Sequence, residues 1–167
     1  DWIRMGTTVA TNALLERKGA KTLLVITKGF GDLLQIGNQN RPRIFDLEIR
    51  KPELLYQQVL EVDERVRLRR TDDSMPGVVG TTGEEFLILE KPNLEKVRNS
   101  LEEAKQAGIE AVAVVFLHAY AFPQHEQQVG ALARELGFAQ VSLSHEVMPM
   151  VKMVARGDTT MVAAYLT

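Results

Sequence analysis

The sequence has 167 residues, 45% of them apolar, and a net charge of −2, enough chain for one domain with a real core or one domain and part of a second. The near-neutral balance leaves no electrostatic footprint for nucleic acid or an anionic membrane. Cysteine is absent, which excludes disulfides and thiolate chemistry within the chain and is compatible with a cytoplasmic setting, and the longest apolar run, Ala111 to Leu117, is far too short to span a bilayer.

Trp2 to Met5 reads as the end of a strand. Gly6 then permits a tight turn, because it has no Cβ to restrict φ and ψ. Thr7 and Thr8 fall at the start of a helix with Val9, Ala13 and Leu14 on one face. Free N–H groups and the helix dipole at such a start favour an anion, and neighbouring hydroxyls suit phosphate or carboxylate recognition. The same residues also serve as plain helix caps. Gly19 is placed to stop the helix, and Lys21 to Thr27 holds a continuous apolar run suited to a strand covered on both faces. Gly29 and Gly31 bracket Phe30 and open a short helix, Asp32 to Ile36, and a polar loop follows from Gly37 to Pro52.

Val59 to Leu68 places Val62, Val66 and Leu68 at even positions and reads as one half-buried strand, although Glu64 shares their face. Thr71 to Glu85 reads as a surface excursion and Phe86 to Leu89 as a strand. Asn93 caps a helix with Leu94, Val97, Leu101 and Ala104 inward, and Gly108 ends it. Ile109 to Leu117 is the strongest strand. Pro123 sits in the first turn of a helix that carries Val129, Leu132, Ala133 and Leu136 inward and stops at Gly137. Val141 and Leu143 form a last short strand. This alternation predicts an α/β fold with a largely parallel or mixed sheet flanked by helices.

Three further groups carry chemistry. Arg41, in the loop Gln39-Asn40-Arg41-Pro42-Arg43, offers a forked cation that matches a carboxylate or phosphate, with solvation as its alternative. Asp46 and Arg65 rank below it as simple ion-pair formers. His118, His125 and Glu126 lack the spacing of a helical metal site and read as capping or packing residues, so no metal is expected on them. Ser142 and Ser144 lie near His145 without an elbow-type glycine frame, and Gly77 to Gly83 lacks the Lys-Ser/Thr ending of a P-loop. Met148, Met150, Met153 and Met161 read as core or interdomain packing.

The run Gly6-Thr7-Thr8-Val9-Ala10-Thr11-Asn12-Ala13-Leu14-Leu15-Glu16-Arg17 resembles the N-terminal signature of the hydantoinase A/5-oxoprolinase family. The resemblance continues through Lys28 to Gly37, Phe45-Asp46-Leu47, Glu61 to Val66, His118-Ala119-Tyr120, His125 to Val129, Ala131 to Phe138 and Met148 to Val151. It implies an actin-like (ribonuclease H-like) ATPase architecture with the Gly6 turn facing a cleft. Thr7 and Thr8 would then act at the terminal phosphate or the substrate being activated, with Gly6, Thr11, Asn12 and Arg41 binding phosphate or substrate. The implied reaction is ATP-dependent opening of a small cyclic amide, with ATP and Mg²⁺ and a monovalent cation, K⁺. Hydantoin-directed hydrolases and carboxylase subunits are alternatives within that family, and a non-catalytic subunit-contact domain is an alternative outside it.

The chain opens directly on a strand without an initiator Met and closes on an apolar segment without a cap. The family also places an Asp-x-Gly-Gly-Thr-like hairpin upstream and a larger ATPase-like portion downstream. The expectation is therefore an excised piece of a longer homo-oligomeric enzyme, partnered by the rest of its own polypeptide and inactive alone. Residues 1–70 are read as a first α/β half, 71–90 as a surface insertion, 91–158 as a second α/β half, and 159–167 as the start of a helix leading onward.

Overall fold

The computed structural model of the protein describes residues 9–38 and 53–166. The run Leu-Leu-Val-Ile lies in β1 (Thr22–Thr27), which is buried along its whole length. On one side it pairs in parallel with β2 (Gln58–Val62), and on the other with β6 (Ala111–Val115). Strand β7 (Gln140–Leu143) adds to β6, also in parallel, giving the order β2-β1-β6-β7. Both faces of this sheet are covered. Leu23, Val25, Val112 and Val114 meet helices α3 (Leu94–Gln106) and α4 (Gln124–Glu135) on one face. Leu24, Ile26, Ala111, Ala113 and Val115 meet Met153, Met161 and Ala164 of α6 (Met153–Tyr165) on the other, beside Leu33 and Leu34 of the one-turn α2 (Leu33–Ile36). Two covered faces are why these strands read as continuous apolar runs rather than alternating ones.

The segment Val59 to Leu68, expected as one strand, is two. It breaks at Asp63 and Glu64, and β3 (Arg65–Leu68) leaves for a second sheet. There β3 and the two-residue β4 (Val78–Val79) flank β5 (Glu85–Glu90), both antiparallel to it. Val66, Phe86, Ala121 and Phe122 form a small core beneath this sheet. Glu64 cannot continue an apolar face in water-free surroundings without a partner, and the chain turns where that residue stands.

Two of the three expected glycine stops are where helices end. Gly108 and Gly137 have φ of 90° and 78° and close α3 and α4 with the paired bonds of a Schellman motif. At α1 (Val9–Glu16) the left-handed residue is Arg17 (φ 55°), not Gly19 as expected: Lys18 N–H reaches Ala13 O at 3.1 Å, and Arg17 N–H reaches Leu14 O at 3.4 Å. Asn93 caps α3 as expected, accepting from Lys96 N–H at 3.1 Å. Pro123 stands one position before α4. Helix α6 begins at Met153, six residues before the segment read as a helix start, and the single turn α5 (Ser144–Val147) joins it to β7. Met153 and Met161 are buried, whereas Met150 is exposed. No helix among the described residues is long and apolar enough to cross a membrane.

Candidate functional site

The strand order reverses between β1 and β6: from β1 the chain steps to β2 on one side, and it later continues from β6 to β7 on the other. The helices that follow the two strands, α2 and α4, lie on opposite faces of the sheet. In open parallel sheets the crevice beyond the carboxyl ends of such a strand pair is where ligands bind. Here those ends are Thr27 on β1 and Phe116-Leu117-His118 just past β6.

The exit of β6 is held by side chains from three elements. Phe116 N–H donates to Glu126 Oε1 at 2.9 Å, and Leu117 N–H donates to Thr27 Oγ1 at 3.1 Å. Arg156 Nη2 donates to Phe116 O at 2.5 Å and to Leu117 O at 3.1 Å. Every backbone polar group of this residue pair is therefore satisfied by a side chain, as buried peptide groups outside a ladder require. Arg156 also donates to Ser144 Oγ (2.9 Å) and Met150 O (2.5 Å), and is wholly buried. Burial lowers the guanidinium pKa and the neighbouring Glu126 opposes that shift; arginine stays charged regardless.

Two buried carboxylates anchor the arrangement. Glu126 accepts from Phe116 N–H, from Ser144 Oγ–H at 2.5 Å and from His145 N–H at 3.1 Å, and pairs with His145 Nδ1 at 2.7 Å. Glu64 accepts from Thr27 Oγ1–H and pairs with His125 Nδ1 at 2.8 Å. His125 and Glu126 thus have separate partners, and no group of three or more His, Cys, Asp or Glu converges on a metal position among the described residues.

Beyond β1, the turn at Gly29 (φ 91°) presents two N–H groups to one oxygen: Gly29 and Gly31 donate to Glu61 Oε1 at 2.9 and 3.0 Å. Arg65 donates to Lys28 O at 2.9 Å and lies 5.4 Å from the Phe30 ring centre. Asp63 bridges Lys28 and Lys96 at 2.7 and 2.8 Å, and the Lys28 hydrogen bond, then that of Lys96, holds its carboxyl down at about 2.

His118 stands at the mouth of β6, in contact with Phe86 (5.6 Å between ring centres) and Tyr120 (6.1 Å). Its Nδ1 is buried with no hydrogen-bond partner, as is Gln124 Oε1. Burial holds its pKa below the ordinary histidine value; Glu64 opposes this, and Arg156 and Arg65 reinforce it. The ring is neutral at pH 7.

Of the residues singled out in the sequence, Gly6, Thr7, Thr8, Arg41 and Asp46 lie outside the described residues. Thr11 and Asn12 are exposed on α1. Arg65 donates to the carbonyl of Lys28 in the β1 turn. Sequence reasoning missed Thr27, Glu64, Ser144 and Arg156 as a set, and treated Glu126 as a capping or packing residue. Two signals were present: Glu64 on an otherwise apolar face, and Arg156 among Met153, Gly157, Thr160 and Met161 at helical spacing.

The model of a family described as the hydantoinase/oxoprolinase N-terminal region matches residues 1–137. The chain is 53% identical to a 5-oxoprolinase of Dictyostelium discoideum over 174 aligned residues, covering 99% of this chain and 14% of that protein. Among solved structures, an ATP-dependent caprolactamase from Pseudomonas jessenii superposes with a TM-score of 0.74 at 26% identity, over 96% of this chain and 22% of that one. The nucleotide-free form of an acetone carboxylase shares the fold at a TM-score of 0.75 and 22% identity, over 96% and 22% of the two chains.

Proposed function

The chain belongs to the hydantoinase/oxoprolinase N-terminal family, and from that premise we propose that it forms one wall of the active-site cleft of a longer, ATP-dependent cyclic-amide hydrolase whose substrate is 5-oxo-L-proline. The observation that carries this reading is identity to a 5-oxoprolinase at more than half of all positions along the whole chain. The chain spans only about a seventh of that relative, so the activity belongs to the complete polypeptide.

The reaction makes clear demands. A five-membered lactam is a poor electrophile, and its opening is unfavourable near neutrality; bound ATP with Mg²⁺ supplies the phosphoryl group that activates the amide oxygen and drives the opening. K⁺ completes the proposed cofactor set. The chain's own residues bind and orient. Gly6 turns the backbone so that Thr7 and Thr8 present hydroxyl and amide donors to an anionic oxygen, where fixed donors act on developing charge. Thr11 and Asn12 add neutral donors on the exposed surface of α1, and the first turn of that helix holds no acidic side chain to repel a phosphate. The Arg41 fork takes the carboxylate of 5-oxoproline.

Replacing Thr7 and Thr8 by valine in the complete enzyme tests this. ATP-coupled release of glutamate from 5-oxoproline should fall by about 100-fold per lost donor, the usual scale for an oxyanion contact. Normal turnover in both variants would instead support a subunit-contact role. A preference for hydantoin over 5-oxoproline in the wild type would reassign the substrate.

A further inference from the structure

We propose that His118 contacts the ligand in the completed cleft, donating its Nε2–H to an anionic oxygen of the bound ligand, and that Thr27, Glu126 and Arg156 are its positioning residues. The inference rests on the function proposed above for the identity of the ligand, and on the fold alone for the place of the residue.

The first argument is position. His118 is one residue past the pair whose backbone groups are all bonded by side chains, at the strand pair where the sheet order reverses. Thr27 comes from β1, Glu126 from α4 and Arg156 from α6, so three elements converge to set the direction of one short exit. Rigid support of that kind is what a ligand-contacting side chain needs, since an error of about 1 Å costs much of its effect.

The second argument is the ring itself. A buried polar atom without a partner costs about 1–3 kcal/mol, and the described residues leave His118 Nδ1 in that state. A neutral imidazole carries one proton. A buried unpaired N–H is a rarer and costlier orphan than an unpaired lone pair, so the proton is assigned to Nε2. Nε2 is not among the buried unpartnered atoms, and no hydrogen bond among the described residues engages it, so its N–H can reach an outside acceptor. Phe86 and Tyr120 pack against the ring in tilted contacts. Arg156 and Arg65 add positive potential at the ring, and Glu64 and Glu84 oppose it.

The test uses the complete enzyme with His118→Phe and His118→Gln. Phenylalanine keeps an aromatic ring in the slot but removes the donor. Glutamine places an amide N–H near the position of Nε2. His118→Phe should retain the wild-type melting temperature and lose about 100-fold in kcat/KM, and His118→Gln should recover to within about tenfold of wild type. A rise confined to the KM for the lactam assigns the contact to the substrate carboxylate; a rise confined to the KM for ATP assigns it to a phosphoryl oxygen. Wild-type kcat/KM in His118→Phe would overturn the proposal. Equal losses in both variants would overturn it too, since glutamine would then rescue nothing. The ratios are measured on whichever of 5-oxoproline, hydantoin and caprolactam the wild type opens, or on its ATP hydrolysis alone if it opens none. Failure of the substrate assignment is thereby read from the wild type, and failure of the His118 assignment from the variants.

Discussion

Arg156→Ala should be among the most damaging single substitutions in the chain. The guanidinium makes hydrogen bonds to Ser144 Oγ, Met150 O, Phe116 O and Leu117 O at 2.9, 2.5, 2.5 and 3.1 Å. Each bond to a charged group contributes about 1.5–3 kcal/mol when measured singly. Simple addition overshoots, because the bonds share one side chain and one burial penalty. Phe116 O also keeps a weak bond from Ala119 N–H at 3.3 Å. What remains after truncation is a part-buried Leu117 carbonyl without its donor and a buried Glu126 without its neighbouring cation. Losing one member of such a buried charged set costs about 3–5 kcal/mol. For a chain of this length that corresponds to a fall of roughly 6–20 °C in Tm.

Urea unfolding of the protein, with the midpoint compared at constant m-value, measures the loss. Arg156→Lys keeps the charge but not the fork, and should retain one or two of the bonds, giving a loss of about 1–3 kcal/mol. Arg156→Met preserves much of the side-chain volume and none of the donors. If the methionine variant were as stable as wild type, the hydrogen bonds would be contributing nothing net against desolvation, and the reasoning would be refuted.

Two further outcomes follow from packing and from protonation. Gly130→Ala replaces a residue in α4 whose added Cβ would lie 2.6 and 2.8 Å from the Cδ atoms of Leu143, itself fully buried. Alanine gains about 1 kcal/mol of helix propensity, but overpacking in a closed core costs about 1–3 kcal/mol. The variant should therefore be neutral to about 2 kcal/mol less stable, and a clearly stabilised variant would show that Leu143 yields. For His118 the pKa is depressed in the folded state, chiefly by burial, from an ordinary 6.5. On acidification the unfolded chain takes up its proton first. Stability contributed at this site is thus complete above pH 6.5 and is lost as pH falls towards the folded value. Wild type should lose more stability than His118→Phe between pH 7 and 5, and parallel curves would contradict the assignment.

How much of this was legible in the sequence depends on the range of the interaction. Gly108 and Gly137 mark helix ends correctly, because a left-handed residue after the last turn is a local demand. Gly19 misleads since Arg17 takes that conformation two residues earlier. Alternation along Val59 to Leu68 is real, yet it cannot reveal that the two halves join different sheets. The Glu126–Ser144–Arg156 set was harder still. Its members are separated by 18 and 12 residues, and each alone looks like an ordinary surface side chain. Only the inward helical position of Arg156, beside Met153, Gly157 and Thr160, distinguishes it. Gly6, Thr7 and Thr8, which carry the family signature, and Arg41, read from the chemistry of its loop, lie outside the described residues, so the sequence remains their source.

The adjacency of His125 and Glu126 in the chain explains why the two sheets meet where they do. Neighbouring residues on a helix point about 100° apart, so the first turn of α4 can hold two different partners. His125 takes Glu64, at the corner where the chain leaves the parallel sheet for the antiparallel one. Glu126 takes Phe116 N–H, Ser144 and His145, at the ends of β6 and β7. Thr27 links the halves, donating to Glu64 while accepting from Leu117. The small sheet is therefore tied to the carboxyl edge of the large one by buried, charge-assisted contacts, which are directional, in addition to the apolar patch under Phe86. Its consequence is that Phe86, from the antiparallel sheet, becomes part of the wall around His118, from the parallel one. Loosening the corner at Glu64 should then disturb His118 without touching it.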